Sequence, residues 1–189
     1  MTAFPGRARR PAAPRVMPGT RAQIGQVNWL VCAAIGRGAG TGAPPNIFPT
    51  LARHRGLFRA WLRFAGRLMP RGRLPRTDTE LVILRVSVNC GCDYEWGHHV
   101  RLGRRAGLSD EQIARVADGP DAPGWSDHER ALLRAVDELG RDRVIADETW
   151  AALRARYDER RLIELCLLAG HYEMLAGTLN SLGVQPEGA

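Results

Sequence analysis

The sequence contains no lysine, so all 27 of its basic residues are arginine. Acidic residues are absent from residues 1–77, which hold 14 arginines, whereas residues 78–189 hold 13 arginines and all 20 acidic residues. A basic segment can indicate nucleic-acid binding. Here, however, the arginines are scattered at helical spacing, and no zinc-finger or helix-turn-helix signature accompanies them. We therefore expect no nucleic-acid partner, and we interpret the basic half as packing beside the acidic half, within one chain or between subunits.

Long apolar runs are also missing, and none reaches the roughly 18 residues that a membrane-spanning helix requires. The N-terminal segment is basic and rich in proline and glycine, without the continuous apolar stretch of a signal peptide. Apolar residues make up 44% of the chain, which is ordinary for a globular protein. These features predict a cytoplasmic protein with no membrane partner.

Cysteine is scarce, with four residues in the chain: Cys32, Cys90, Cys92 and Cys166. Without a secretion signal, this number does not indicate a disulfide scaffold. Cys32 and Cys166 lie in apolar runs and are predicted to be buried. Only Cys90 and Cys92 lie among polar residues.

Strand patterns and hairpin turns are absent as well, and the apolar residues instead recur at helical spacing. Capping boxes at Ser109–Gln112 and Ser126–Glu129 mark two helix starts. The sequence therefore predicts one all-α domain over residues 26–189. Residues 1–25 hold four prolines, five arginines and little to bury, so they are predicted to form a flexible tail.

The residues with the most chemical potential form a spaced pattern of Glu80, Cys92, Glu95 and His99. On a predicted helix, Cys92, Glu95 and His99 lie on one face because they are three and four residues apart. Glu80 lies on the preceding helix, from which it could fold back onto His99. Carboxylates, a thiol and an imidazole on one wall are consistent with acid–base catalysis.

Each group has a definite role in such a site. An imidazole such as His99 titrates near neutral pH and can transfer protons, and Glu80 would accept its second ring hydrogen and fix the tautomer. Glu95, if buried, would have a raised pKa and hold a proton. Tyr94 and Trp96 would line the substrate pocket together with the thiol.

Several alternatives remain open. Thr77–Glu80 also has the form of a capping box, which would use Glu80 at its own helix start. Cys92, Glu95 and His99 could instead bind zinc, although three ligands from a single helix are uncommon. Cys90 and Cys92 could act as a redox pair, since a Cys-x-Cys disulfide is strained and easily reduced. A further histidine, His171, is predicted to lie on a helix surface or at a subunit contact.

The run ELVILRVSVNCGCDYEWGHHVRLGRRAGLSDEQI resembles the carboxymuconolactone decarboxylase family, which includes the alkylhydroperoxidase D-like proteins. The upstream LFRAWLRFAGRLMPRGRLPRTDTEL and the terminal LCLLAGHYEMLAGTLNSLGV are also similar, so the resemblance covers residues 46–184. The peroxidase branch of this family has a Glu, a Cys-x-x-Cys and a His. The spacing places these positions at Glu80, Cys92, Glu95 and His99. Its second, reactive cysteine is therefore replaced here by Glu95.

The resemblance implies an alkylhydroperoxidase D-like helical fold that assembles as a homo-oligomer, such as a trimer or hexamer, with a site near a subunit interface. It favours an enzyme without a cofactor or metal that decarboxylates, or shifts a proton on, a small carboxylated or lactone-like substrate. Two alternatives are a thiol-dependent peroxidase or disulfide reductase that uses Cys90 and Cys92, and an oligomeric binding protein without activity.

Overall fold

The structure, a computed structural model, describes residues 3–38 and 42–187. These residues form α-helices and one short 3-10 helix, without any strand, which confirms the all-α prediction. The helices are α1 (Arg21–Ile24), α2 (Gln26–Gly38), α3 (Ile47–Leu51), α4 (Arg55–Leu68), α5 (Arg76–Asn89), α6 (Asp93–Ala106), α7 (Asp110–Arg115), the 3-10 helix Val116–Asp118, α8 (Asp127–Asp142), α9 (Asp147–Arg154) and α10 (Glu159–Leu182).

Helix α5 is the centre of the fold, and it packs against α6, α8 and α10. Its sequence is apolar around most of its circumference, and a helix of that kind is buried on all sides. Val82, Ile83 and Val86 contribute to a core shared with α8, α9 and α10. Leu81 and Leu84 face a second core around α6 and α7.

The turn between α5 and α6 depends on Gly91, whose φ is +61°. A Cβ atom at this position would lie 2.7 Å from Cγ of Arg9, so a side chain would be disfavoured by both the backbone conformation and the close contact. The turn directs α6 back along α5, and Gly107 ends α6 as a C-cap in the left-handed conformation. As a result, the polar face of α6 lies next to α5.

Helices α2 and α4 form an outer layer over one end of α10. Phe58 and Cys32 are buried in a small core between them. Trp61 of α4 reaches inward, and its ring lies 6.2 Å from the imidazole of His171 on α10. This outer layer covers part of α10 and creates the space described below.

The N-terminal segment, predicted as a flexible tail, has specific contacts with the helices. Arg9 N–H donates to the carbonyl of Gly91 at 2.9 Å, and Arg15 N–H donates to the carbonyl of Leu182 at 2.9 Å. The guanidinium of Arg10 forms an ion pair with Asp93 at 2.9 Å. Residues 9–15 therefore connect the α5–α6 turn to the end of α10.

Helix α10 is long and apolar enough to cross a membrane by length and composition, and it is the single helix of this kind among the described residues. Half of its most apolar window is buried inside the protein. The core helix of a globular domain has the same properties, so this helix is weak evidence for a membrane span. The cytoplasmic location stays a prediction.

Candidate functional site

A buried hydrogen bond between a carboxylate and an imidazole joins α5 to α6. Glu80 is fully buried, and its Oε2 lies 2.7 Å from Nδ1 of His99. Its other oxygen accepts a hydrogen bond from Arg76 at 2.5 Å. The carboxylate therefore does not cap its own helix, which starts at Arg76 with Pro75 as N-cap, and the capping-box interpretation of Thr77–Glu80 is wrong. The predicted contact between Glu80 and His99 is present in the structure.

This pairing sets the chemistry of the imidazole. A carboxylate at Nδ1 accepts the hydrogen of that nitrogen and leaves the lone pair of Nε2 available as a base. Nε2 of His99 has no hydrogen-bond partner among the described residues and is not enclosed by other atoms. The ring edge of His99 also contacts the Tyr172 ring in an edge-to-face arrangement, with the centroids 5.2 Å apart.

His99 lines a cavity of about 470 Å³, which we call the inner cavity. It lies between α4, α6 and α10, and its lining is mostly apolar and aromatic. The lining residues used below are Trp61, Tyr94, Glu95, His98, His99, Arg101, Arg105, His171 and Tyr172. A concave apolar space with a few polar groups is the usual form of a small-molecule site.

Glu95 lines the same cavity one helical turn before His99 and is 3% exposed. Burial raises the pKa of this carboxyl well above its ordinary value, and a contact with the Cys92 thiol lowers it by a smaller amount. Neither oxygen has a partner with full hydrogen-bond geometry among the described residues. At neutral pH, Glu95 is therefore expected to be a neutral acid, as predicted for a buried carboxyl.

His171 was predicted to lie on a helix surface or at a subunit contact, and the surface placement is wrong. It is 5% exposed and lines the inner cavity. The rings of Trp61 and Phe64 from α4 cover it, and it meets Tyr172 edge to face at 5.2 Å. Burial lowers the pKa of His171 to about 4, so the ring is neutral at physiological pH.

The carboxylate of Glu187 contacts two residues of the cavity lining, Tyr94 and His98, and no pattern in the sequence pointed to it. Glu187 accepts a hydrogen bond from the Tyr94 hydroxyl at 2.8 Å and from Asn46 N–H at 2.7 Å. It also lies 2.9 Å from Nε2 of His98. Burial opposes its ionisation, but the partners His98, Asn46 and Tyr94 outweigh that effect and lower its pKa to about 2.

The two aromatic residues predicted to line the pocket lie in different places. Tyr94 lines the inner cavity, as expected. Trp96 does not: its side chain lies in the second core of the domain, and its ring meets Phe4 edge to face at 6.1 Å. The reason is that α6 is buried on two sides, and Trp96 lies on the side opposite the cavity.

The cysteines occupy separate environments. Cys92 is fully buried in the main core, and burial, together with nearby Glu95, raises its thiol pKa. Cys90 faces a wider groove of about 950 Å³ on the other side of α5. Burial and the charges of Glu95 and Glu173 raise its pKa to about 11. Both thiols are therefore poor sources of thiolate at neutral pH.

The wider groove is a weaker candidate for chemistry, although it is larger than the inner cavity. It has no histidine in its lining. Its acidic groups are neutralised by arginines, since Asp137 pairs with Arg85 and Glu173 pairs with Arg143. The inner cavity, by contrast, combines an unpartnered base, a neutral acid and a neutral imidazole.

The zinc alternative required Cys92, Glu95 and His99 to converge. Over residues 3–38 and 42–187, the side chains of His, Cys, Asp and Glu form no group of three that could hold a metal ion. Nδ1 of His99 is already engaged by Glu80. Cys92, Glu95 and His99 therefore do not converge as a set of zinc ligands within the described part of the chain.

The fold is the all-α, alkylhydroperoxidase D-like helical fold, and it places a Glu–His pair at the inner cavity. Residues 55–138 match the model of the carboxymuconolactone decarboxylase family. Over this segment the chain is similar to that family, and the fold agrees with the similarity. The matched segment includes all of α5 and α6, and therefore Glu80, Glu95 and His99.

Similar proteins agree with this finding. The uncharacterized protein YdfG of Bacillus subtilis (strain 168) is 26% identical over 95 residues, which are 49% of this chain and 65% of that protein. The alkylhydroperoxidase AhpD core, an uncharacterized peroxidase-related protein from Ralstonia eutropha JMP134, is 20% identical with a TM-score of 0.80, and 93% of each chain is covered. This chain thus spans about two thirds of its curated relative.

A third similar structure has a named activity. The debrominase Bmp8, in a cysteine-to-alanine variant bound to 2,3,4-tribromopyrrole, is 17% identical with a TM-score of 0.76, and 94% of each chain is covered. At this identity the likeness concerns the fold. The fold of this chain is thus similar to that of a debrominase, and the reaction of this chain has to be argued from its own residues.

Proposed function

We propose that this protein is a cofactor-independent acid–base enzyme that decarboxylates, or shifts a proton on, a small substrate bound in the inner cavity. The observation that carries the proposal is the Glu80–His99 pair, which leaves Nε2 of His99 as an unpartnered base at an enclosed cavity. A positioned imidazole of this kind accelerates proton transfer by about 10²- to 10⁴-fold.

In a proton shift, Nε2 of His99 takes a proton from a substrate carbon, and the electron pair moves into a conjugated carbonyl. The imidazolium, stabilised by Glu80, then returns the proton to another carbon. In a decarboxylation, the breaking C–C bond supplies the electron pair, CO₂ leaves, and protonated His99 delivers the proton. Glu95 is the neutral acid from which His99 could be reprotonated.

The cavity also supports a substrate class. Its interior is apolar and aromatic, which suits a small unsaturated ring or chain. Arg101 and Arg105 line the cavity from exposed positions on α6, and guanidinium groups bind carboxylates well. We therefore favour a conjugated carboxylate or lactone acid whose carboxyl group lies near these arginines.

The test is exchange and CO₂ release. The protein is incubated in D₂O with a panel of 2-oxo acids and unsaturated lactone carboxylates, and NMR follows C–H loss while a coupled assay follows CO₂. For any substrate that the unaltered protein turns over, we expect His99→Asn to lower the rate by about 10²-fold or more. His54→Gln, a change at an exposed histidine outside the cavity, is the control. A panel without turnover, or an active His99→Asn protein, would refute the proposal.

The two alternatives have less support. A thiol-dependent peroxidase needs an accessible thiolate, whereas Cys92 is buried and both Cys90 and Cys92 have raised pKa values. A binding protein without activity would leave Glu95 and His99 engaged only with each other. Instead, His99 pairs with Glu80, and both Glu95 and His99 line the cavity.

We also propose that the chain forms a homo-oligomer, such as a trimer or hexamer. Ile163, Leu167 and Met174 are each about half exposed or more, and helical geometry places them within one narrow stripe on α10. Such an apolar stripe is typical of a subunit contact. Leu167→Arg is expected to give a smaller particle by light scattering after size-exclusion chromatography. Val144→Arg, at an exposed apolar residue outside the stripe, should not; equal masses would contradict the proposal.

A further inference from the structure

Two imidazoles open onto the inner cavity from different helices. His99 on α6 and His171 on α10 each lie with their ring centroids 5.2 Å from the same Tyr172 ring. The two rings are therefore separated by no more than twice that distance. A small substrate in the cavity can contact both.

The hydrogen-bonding state of His171 follows from its surroundings. Its Nδ1 is enclosed and has no hydrogen-bond partner within the described part of the chain. Its Nε2 is also unpartnered but is not enclosed, so it is the nitrogen that a cavity ligand can reach. A buried N–H without an acceptor is rarer in proteins than an unsatisfied acceptor. The hydrogen of the neutral ring therefore belongs on Nε2.

The groups that cover His171 leave it neutral. They are the rings of Trp61 and Phe64 from α4 and of Tyr172 from its own helix, and none of them is a carboxylate. His99, in contrast, has the Glu80 carboxylate at Nδ1. The two imidazoles thus differ in role: His99 offers a lone pair at Nε2, whereas His171 offers a hydrogen.

We propose that Nε2–H of His171 donates a hydrogen bond to the substrate oxygen on which negative charge builds while His99 removes a proton from carbon. The proton moves only between substrate carbon and His99, and the electron pair moves onto the carbonyl oxygen. His171 keeps its hydrogen throughout. A neutral imidazole is suited to this role because its donor strength is matched to an enolate without protonating it. This inference rests on the proposed acid–base function.

The first experiment needs no substrate. Long-range ¹H–¹⁵N NMR of the histidine-labelled full chain, with His171→Gln to assign the signals, reports tautomer and charge. We expect His171 to remain a neutral Nε2–H ring between about pH 5 and pH 8. An Nδ1–H ring, or a ring that titrates near 6.5, overturns the proposal.

The second experiment measures oxyanion binding. 4-Nitrophenolate is a coloured phenolate whose absorption shifts to shorter wavelength when it accepts a hydrogen bond. We expect His171→Phe to bind it about tenfold more weakly and without that shift, because one hydrogen bond to a charged group is lost. His54→Gln, remote from the cavity, should bind like the unaltered protein. Equal binding by His171→Phe, or no binding by either protein, overturns the proposal.

The third experiment distinguishes the donor role of His171 from the proposed acid–base function of the protein. For a substrate found in the exchange screen, His171→Phe should lower kcat about 10²-fold with little change in KM. His171→Gln should recover part of that loss, since an amide N–H can also donate. If the unaltered protein turns over no substrate while the NMR and binding results hold, the proposed reaction fails but the donor role of His171 stands.

Discussion

Glu80→Ala is expected to lower the free energy of unfolding by about 2 kcal/mol, because it leaves the buried Nδ1–H of His99 without a hydrogen-bond acceptor. Arg76 and Nδ1 of His99 both lose their acceptor in this variant. Proton transfer by His99 should also fall, on the order of 10²-fold, because nothing then fixes the tautomer of the ring. Urea unfolding and the exchange assay measure the two effects.

The control for Glu80→Ala is Glu138→Ala. Glu138 is another buried carboxylate, which accepts hydrogen bonds from Thr149 at 2.8 Å and from Ala146 N–H at 2.9 Å. It lies outside the inner cavity, so its removal should lower stability without altering the His99 NMR signals or the exchange rate. If Glu80→Ala behaves in the same way as Glu138→Ala, Glu80 is structural only.

Glu95→Gln is expected to change how stability depends on pH. The pKa of Glu95 is raised in the folded state, whereas an unfolded Glu titrates near about 4.3. Between these two pKa values the folded protein binds one proton more than the unfolded chain. The free energy of unfolding therefore falls as pH rises, by about 1.4 kcal/mol per pH unit. The amide side chain of the variant cannot ionise, so the variant loses this dependence.

The measurement is urea unfolding of both proteins across a pH series. The difference between them should grow in favour of Glu95→Gln from about pH 4.3 upward, and it should level off above the folded pKa. Glu148→Gln, at an exposed glutamate, should follow the unaltered protein. Parallel curves for Glu95→Gln and the unaltered protein would show that Glu95 is ionised when folded.

The pairing of Glu80 with His99 could be predicted because it depends on local rules. Helical spacing placed Glu95 and His99 on one face. The turn at Gly91 is short, so α6 must pack next to α5. Helix starts at Ser109 and Ser126 were likewise encoded by capping residues and are confirmed. These features need no information about distant parts of the chain.

The placements that could not be predicted depend on distant helices. His171 is buried because Trp61 and Phe64, more than a hundred residues earlier in the sequence, cover it. Helix α6 has two buried sides, one facing the inner cavity and one facing the second core, and Trp96 lies on the side facing that core. The sequence of α6 alone does not show which of its buried sides faces the cavity. Arg9 and Arg15 bind through backbone N–H groups and backbone carbonyls, and such contacts leave no signature in the side chains.

The contacts of residues 9–15 also affect the order in which the chain can fold. Arg10 pairs with Asp93, and Arg15 binds the carbonyl of Leu182. The residues joined by these contacts are therefore far apart in the sequence. During synthesis, the contact of Arg15 can form only after α10 has been made, whereas Gly91 and Asp93, the partners of Arg9 and Arg10, are made earlier. Contacts of such long sequence separation form late because of the entropy of closing large loops. The link from Arg15 to the end of α10 is therefore expected to form after the links from Arg9 and Arg10 to the α5–α6 turn.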